Sequence, residues 1–216
     1  MDQNRYHLDE LRRIHNVFDP GRVLPRIKTH HRRILDLGCG AGQTLIGSAI
    51  PAGVQAVGVD IDKSALALGR ALSDRIEFVM ARGEALPFRA GAFDLLVCRV
   101  ALPYMEIGRV APEMFRLLGP GGDLWLTLHA PTKVLLQLCR ASCEADVKEV
   151  LVQLYALANG CLLHCFGREY HMPLRPRRRE SFQTEKGMRR ALGRVGFSQI
   201  EFERDRGVFV ARARKI

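Results

Sequence analysis

No apolar run in the 216-residue sequence approaches the ~18 residues that a membrane-spanning helix requires, which predicts a soluble chain without a transmembrane segment. The amino terminus, MDQNRYHLDELRRIH, is charged and periodic and lacks the apolar segment a secretion pathway reads, so a cytoplasmic location is expected. Internal repeats are absent, as are low-complexity tracts beyond one arginine cluster. The six cysteines (Cys39, Cys98, Cys139, Cys143, Cys161, Cys165) do not staple loops at even intervals. They fall in apolar strands, a glycine loop and two helical segments, which predicts reduced thiols. Acidic residues are in deficit, 23 against 33 Lys and Arg, for a net charge of +10. That excess suits an anionic partner such as nucleic acid, lipid headgroups or an acidic substrate. Because it is dispersed along the chain, it serves solubility equally well.

A chain of this length buries roughly 70% of its unfolded surface, enough for one α/β domain. Leu8, Leu11, Ile14 and Val17 recur at three-residue steps and predict a leading helix over residues 4–17, which Pro20 and Gly21 end; residues 1–31 form an N-terminal helical segment. From residue 32 to 216, β-type runs alternate with helices: RILDL, VQAVGVD, IEFVM, FDLLVC and GDLWLTLH are strands, and residues 42–50, 63–72 and 106–118 are helices. Near-continuously apolar strands in that alternation predict a doubly wound, mostly parallel sheet. Residues 132–166 break the pattern with two successive helices. Together with the Pro- and Arg-rich connector at 168–181 they mark an insertion over 132–180, read as a helical lid or, alternatively, as a packing element that makes a homodimer. The final runs, SQIEFER and GVFVARAR, are separated by Asp205 and Arg206 alone, a gap that permits an antiparallel hairpin and no parallel crossover.

The stretch RRILDLGCGAGQTLIG carries the chemistry. Asp36, Gly38, Gly40 and Gly42 form D-x-G-x-G-x-G at the end of the first strand. Glycine loops there normally cradle phosphate, which a carboxylate such as Asp36 repels. The third glycine of a dinucleotide fingerprint is missing, since Gln43 and Leu45 stand where it belongs. Asp60 ends the second strand, where an acid accepts bonds from both hydroxyls of a ribose. A ligand with a ribose, no phosphate and a cationic tail fits both features. S-adenosylmethionine is such a molecule, its ammonium drawn to Asp36 and its carboxylate left to the loop amides.

At these residues the sequence resembles the class I, Rossmann-like S-adenosylmethionine-dependent methyltransferases, and is similar to their ubiquinone- and menaquinone-biosynthesis branch. The resemblance covers residues 32–130 and 181–214, through ILDLGCGAGQTL, VGVDIDKSAL, ARGEALPFRAGAFDLLVC and RLLGPGGDLWLTLH. It implies a seven-stranded sheet whose last strand is antiparallel, with S-adenosylhomocysteine as product. It also implies that Asp36, Gly38, Cys39, Gly40 and Gly42 line the methionine end, that Asp60 and Ile61 hold ribose and adenine, and that Gly83 and Glu84 flank the adenine. Where many relatives carry an adenine-binding aspartate, this chain has Arg82.

On the acceptor side, CRVALPYM resembles the family's acceptor-facing segment. Arg99, Tyr104 and His129 are the candidate catalytic residues: Arg99 to grip an anion, Tyr104 to orient a substrate, His129 to take a proton. Each also has a plain structural role open to it. The Asn/Asp-Pro-Pro-Tyr signature of nucleic-acid amino-methyltransferases is absent, which favours a small-molecule acceptor, acidic or lipid-like. RNA or DNA remains the alternative through Arg175, Arg177, Arg178 and Arg179, and a non-catalytic cofactor-binding regulator is a third reading. Cys139 and Cys143, then Cys161 and Cys165, sit four residues apart on single helix faces. Two facing helices can gather these four, with His164, into disulfides or a metal site, but plain packing is the expectation and no metal is assigned.

Overall fold

The computed structural model describes residues 3–169 and 180–216, so the arginine cluster at 175–179 lies outside the described residues. Seven strands form one sheet in the order β3-β2-β1-β4-β5-β7-β6: β1 Arg33–Leu37, β2 Gln55–Asp60, β3 Ile76–Met80, β4 Phe93–Cys98, β5 Leu118–Leu128, β6 Ser198–Asp205 and β7 Val208–Arg214. All pairings are parallel except those of β7, which runs antiparallel to both neighbours, as the two-residue gap before it requires. Helices α1 Gln3–His15, α2 Gln43–Gly47, α3 Lys63–Leu72, α4 Ile107–Leu117, α5 Pro131–Cys143, α6 Val147–Phe166 and α7 Glu185–Arg194 complete the fold. The central strands are buried on both faces, Ile34 and Val97 packing into one apolar cluster, Leu35 and Leu96 into the other.

Local signals explain most boundaries. Asp62 caps α3 by accepting from Ser64 N at 2.9 Å, and Thr184 caps α7 through Gly187 N at 3.1 Å. Gly196, with φ +105, follows the last turn of α7. β5 begins earlier than its composition suggests: the glycine-rich LGPGG is drawn into the sheet because Gly121 N donates to Lys215 O at 2.7 Å and Lys215 N to Gly122 O at 3.0 Å.

Two expectations change. The buried face of α1 is His7, Glu10, Leu11 and Ile14, while Leu8 and Val17 are exposed, so the inward stripe begins with polar residues. In the insertion, α5 and α6 pack on each other across a short turn, which places Cys143 beside the start of α6. Cys161 lies fourteen residues beyond Val147, about 21 Å further along the helix, so the two cysteine pairs do not meet. All four of these cysteines are exposed and all six are free thiols. Against the expectation from the sequence, α6 is long and apolar enough to cross a membrane by length and composition alone. In the fold it packs on α5 and α7 with Gln153 and Asn159 buried.

Candidate active site

The strand order reverses between β1 and β4, and the crevice beyond their carboxyl ends holds the candidate site. Gly38, Gly40 and Gly42 all take positive φ (72, 55 and 81°), which explains the spacing of the loop that leaves β1. Each also meets a neighbour at close range. A Cβ on Gly38 would lie 2.2 Å from Ala101 Cβ, one on Gly40 2.8 Å from the His7 ring, and one on Gly42 2.8 Å from the Phe78 ring. Gly42 therefore packs the loop onto β3, while Gly38, Cys39 and Gly40 line a cavity of about 180 Å³ together with Asp60. The Cys39 side chain packs against Gly58, and burial pushes its thiol pKa well up.

The loop amides are mostly engaged within the protein. Gly38 N and Cys39 N both donate to Val59 O, Gly42 N donates to Cys39 O, and Gly40 N donates to Asp60 Oδ2 at 2.7 Å. Asp60 Oδ1 accepts from Asp62 N at 2.9 Å. Asp60 is thus the tie that holds the loop against β2, with lone pairs remaining on both oxygens.

Asp36 is the unusual group. It is 1% exposed, and neither carboxylate oxygen has a hydrogen-bond partner among the described residues. Burial, aided by the Asp60 charge, raises its pKa to about 7 against the opposing influence of Arg99 and Thr44. A buried carboxylate without a donor is costly, and a cation is the natural complement. These acceptors fit S-adenosylmethionine: a buried acid for its ammonium and a strand-end acid for its ribose hydroxyls.

Arg99 follows β4 directly and is 9% exposed at its side chain. Its Nη2 donates to Glu10 Oε2 at 2.7 Å and its Nε to Thr44 Oγ1 at 3.2 Å, so it joins α1 to the loop. Of its two sequence-level roles, the pairing with an acid is the one observed. Gln43 Nε2 lies 2.8 Å from His7 Nδ1, a second tie between α1 and the glycine loop. Sequence reasoning missed Tyr6, His7 and Glu10; the available signal was their spacing of three and four residues on a helix whose apolar stripe is incomplete.

Val100 stands between this cavity and a second one, of about 610 Å³. Its φ of +68 is rare for a β-branched residue and marks local strain, held by Val100 N donating to Thr127 Oγ1 at 2.8 Å. Tyr104 and His129 both line the larger cavity, their rings edge to face at 5.7 Å. Lys133 Nζ lies 2.8 Å from His129 Nε2, so the ammonium donates to that nitrogen and the imidazole is neutral. Burial and the Lys133 charge bring the His129 pKa down to about 4, which makes it a weak base in this state.

Ile61 is 66% exposed beside Asp60 and offers an apolar ledge. Gly83 is buried where a Cβ would lie 3.0 Å from Met105 Sδ. Glu84 accepts from Glu106 N at 3.3 Å and pairs with the exposed Arg82 at 3.5 Å, so Arg82 points its charge at Glu84. At the opposite end of the sheet, His30, His31 and Asp123 gather ligand atoms within 4.8 Å. There Lys28 Nζ donates to Asp123 Oδ2 at 2.7 Å and Lys28 N to His31 Nδ1 at 3.1 Å. The proton of His31 therefore sits on Nε2, which donates to Asp123, and the cluster is a hydrogen-bonded tie.

Residues 34–122 match the family model described as a methyltransferase domain. Norajmaline N-methyltransferase of Rauvolfia serpentina is 26% identical over 72% of this chain and 53% of its own. Demethylmenaquinone methyltransferase of Lactococcus lactis is 28% identical over 82% of this chain and 70% of its own. The crystal structure of an S-adenosylmethionine-dependent methyltransferase from Mesorhizobium loti superposes with a TM-score of 0.59 at 22% identity, covering 89% of this chain and 94% of that one. The chain spans about half the length, or less, of several curated relatives it matches.

Proposed function

We propose that this chain, which carries a class I S-adenosylmethionine-dependent methyltransferase domain on the corresponding fold, transfers the methyl group of that cofactor to a small acceptor seated in the larger cavity. The observation that carries the proposal is Asp36, a buried acid without a hydrogen-bond partner among the described residues, set behind Arg99, Asp60 and Thr44 in the wall of a small cavity that shares Tyr6, Glu10, Arg99, Val100 and Tyr104 with the larger one. When bound, the cofactor supplies a methyl carbon on a sulfonium, open to in-line attack by a nucleophile.

The chain's own residues bind and position. Asp36 receives the ammonium, Asp60 the ribose hydroxyls, and Ile61 with the Gly83–Glu84 turn accommodates the adenine. Helix α1 covers the methionine end and excludes water through His7 and Glu10. Tyr104 and His129 set the acceptor's approach, and the α5–α6 pair, through Thr132, Lys133 and Leu136, closes over it as a lid. Alignment and desolvation of this kind supply much of the acceleration that methyl transfer needs. The four exposed thiols fit a reducing compartment, and a cytoplasmic location is part of the proposal.

Calorimetric titration with S-adenosylmethionine and S-adenosylhomocysteine, with ATP and NAD as controls, tests it. Selective binding of the two methionine derivatives, lost in Asp36→Ala, is the expected result. Equal binding of ATP, or unchanged affinity in that variant, overturns the assignment.

A further inference from the structure

The walls of the larger cavity carry four cations, Arg13, Arg99, Lys133 and Arg204, against one acid, Glu10. Glu10 bonds both Arg99 and Arg13, and Arg13 also reaches Asp19 at 3.7 Å, so those two cations are compensated within the protein. Lys133 and Arg204 are different. Neither has a carboxylate within ion-pair distance among the described residues, and they come from separate elements, α5 and β6. The ammonium of Lys133 donates to His129, a neutral partner that accepts the bond without balancing the charge. The guanidinium of Arg204 sits 5.5 Å above the Phe209 ring, which uses its flat face and leaves its donor edge open. Between them the cavity surface is apolar, with Leu128 and Phe209 buried beneath it.

We infer that the acceptor is an amphiphilic anion, its carboxylate or phosphate head held by Lys133 and Arg204 and its apolar or aromatic body lying against Phe209, Leu128 and Tyr104. The inference rests on reading the larger cavity as the acceptor site. Two cations without an ion-pair partner among the described residues, set in the wall of one cavity, attract anions and repel amines. Charge-assisted bonds from an ammonium and a guanidinium are the strong kind for carboxylate and phosphate. Burial lowers the pKa of Lys133 against the opposing charges of Glu180 and Glu10, neither of which reaches it as an ion pair. The role falls to Lys133 and Arg204 rather than to Arg99, which Glu10 and Thr44 already hold.

A matched probe set tests this on the full chain: 2-naphthoate and 2-naphthyl phosphate as anions, 2-naphthamide as the neutral isostere and 2-naphthylmethylamine as the cation. Each is titrated calorimetrically with and without saturating S-adenosylhomocysteine. At least one anion is expected to bind at least tenfold more tightly than the amide, the amine most weakly, and the advantage is expected to shrink as salt rises. Lys133→Met and Arg204→Met should each lower anion affinity fivefold or more, leave amide affinity unchanged and keep S-adenosylhomocysteine affinity within twofold. Lys133→Arg should retain most of the anion preference, and circular dichroism melts should match the parent. Equal affinity for acid and amide, preference for the amine, no anion binding at millimolar concentration, or indifference to both substitutions overturns the inference. Failure to bind S-adenosylhomocysteine sinks the methyltransferase reading instead, and the anion comparison on cofactor-free protein then reports on Lys133 and Arg204 alone.

Discussion

Glu10 and Arg99, 89 residues apart, meet at 2.7 Å and close the first helix over the crevice at the end of β4. Both side chains are about nine-tenths buried, so removing one leaves the other as an uncompensated charge. Glu10→Ala is expected to lower stability by about 3 kcal/mol. Amide exchange in α1 should rise and S-adenosylhomocysteine affinity fall, whereas the double variant Glu10→Met with Arg99→Met should recover most of the stability. Denaturant melts of the parent and the two variants read this, and a double variant no more stable than Glu10→Ala contradicts the pairing.

Asp36 makes stability depend on pH in an uncommon direction. Its folded-state pKa, raised to about 7 from 3.8, means the folded chain keeps a proton that the unfolded chain has shed across that window. Stability of the cofactor-free protein therefore falls as pH rises from about 4 to about 7, by about 4 kcal/mol for this group. Asp36→Asn should flatten that slope in melts from pH 5 to 8. Binding of a cationic cofactor favours the charged carboxylate, so calorimetry at pH 6 in buffers of different ionisation enthalpy should detect proton release. A parallel slope in parent and variant sinks this account.

His129 should not titrate in the usual histidine range. Its resonances are expected to move with a midpoint near 4, and Lys133→Met should raise that midpoint while burial keeps it below 6.5. The folded-state shift is downward, so its contribution to stability is present above 6.5 and is lost as pH falls from 6.5 toward 4. A midpoint near 6.5 in the parent protein contradicts the Lys133–His129 hydrogen bond.

Asp60 and Gly40 act as one unit through their 2.7 Å hydrogen bond. Asp60→Ala should weaken cofactor binding by about 1–3 kcal/mol and at the same time speed amide exchange at Gly40. Gly40→Val forces a β-branched residue to φ +55 with its Cβ against the His7 ring, and should abolish binding while the distant β6–β7 hairpin keeps its exchange protection. Normal affinity in Gly40→Val excludes the glycine loop from the site.

Thiol reactivity separates the cysteines by burial. In the native protein Cys139, Cys143, Cys161 and Cys165 should react promptly with a disulfide reagent, whereas Cys39 and Cys98, buried and with pKa values pushed up, should wait for denaturant. Six prompt thiols, or fewer than six after denaturation under reducing conditions, contradict the structure.

The strands and the glycine loop were legible in the sequence because their signals are local: an apolar run, a turn residue, an acid at a strand end. Asp36 stands out in the sequence by its position before Gly38, and Asp60 by its place after VGV. What sequence could not supply is assembled from distant segments. His7 and Glu10 look like ordinary polar residues of a helix until Gln43 and Arg99 come to meet them. Lys133 and Arg204 become a pair only when α5 and the β6–β7 edge close one cavity. The LGPGG stretch joins β5 through backbone bonds to Lys215, almost a hundred residues away, which no local signal announces. The converse holds for the four cysteines at helical spacing, expected to pack as small apolar groups: α5 and α6 leave all four exposed, and the length of α6 keeps the two pairs apart.

The bond between Glu10 and Arg99 also bears on how the chain is made. During synthesis α1 emerges long before β4, so its polar inward face has nothing to bind while some ninety residues follow it. Until then it is a short helix whose stability depends on packing it does not yet have. The cover of the crevice is thus encoded ahead of the strands it closes over and is secured only once β4 has joined the sheet.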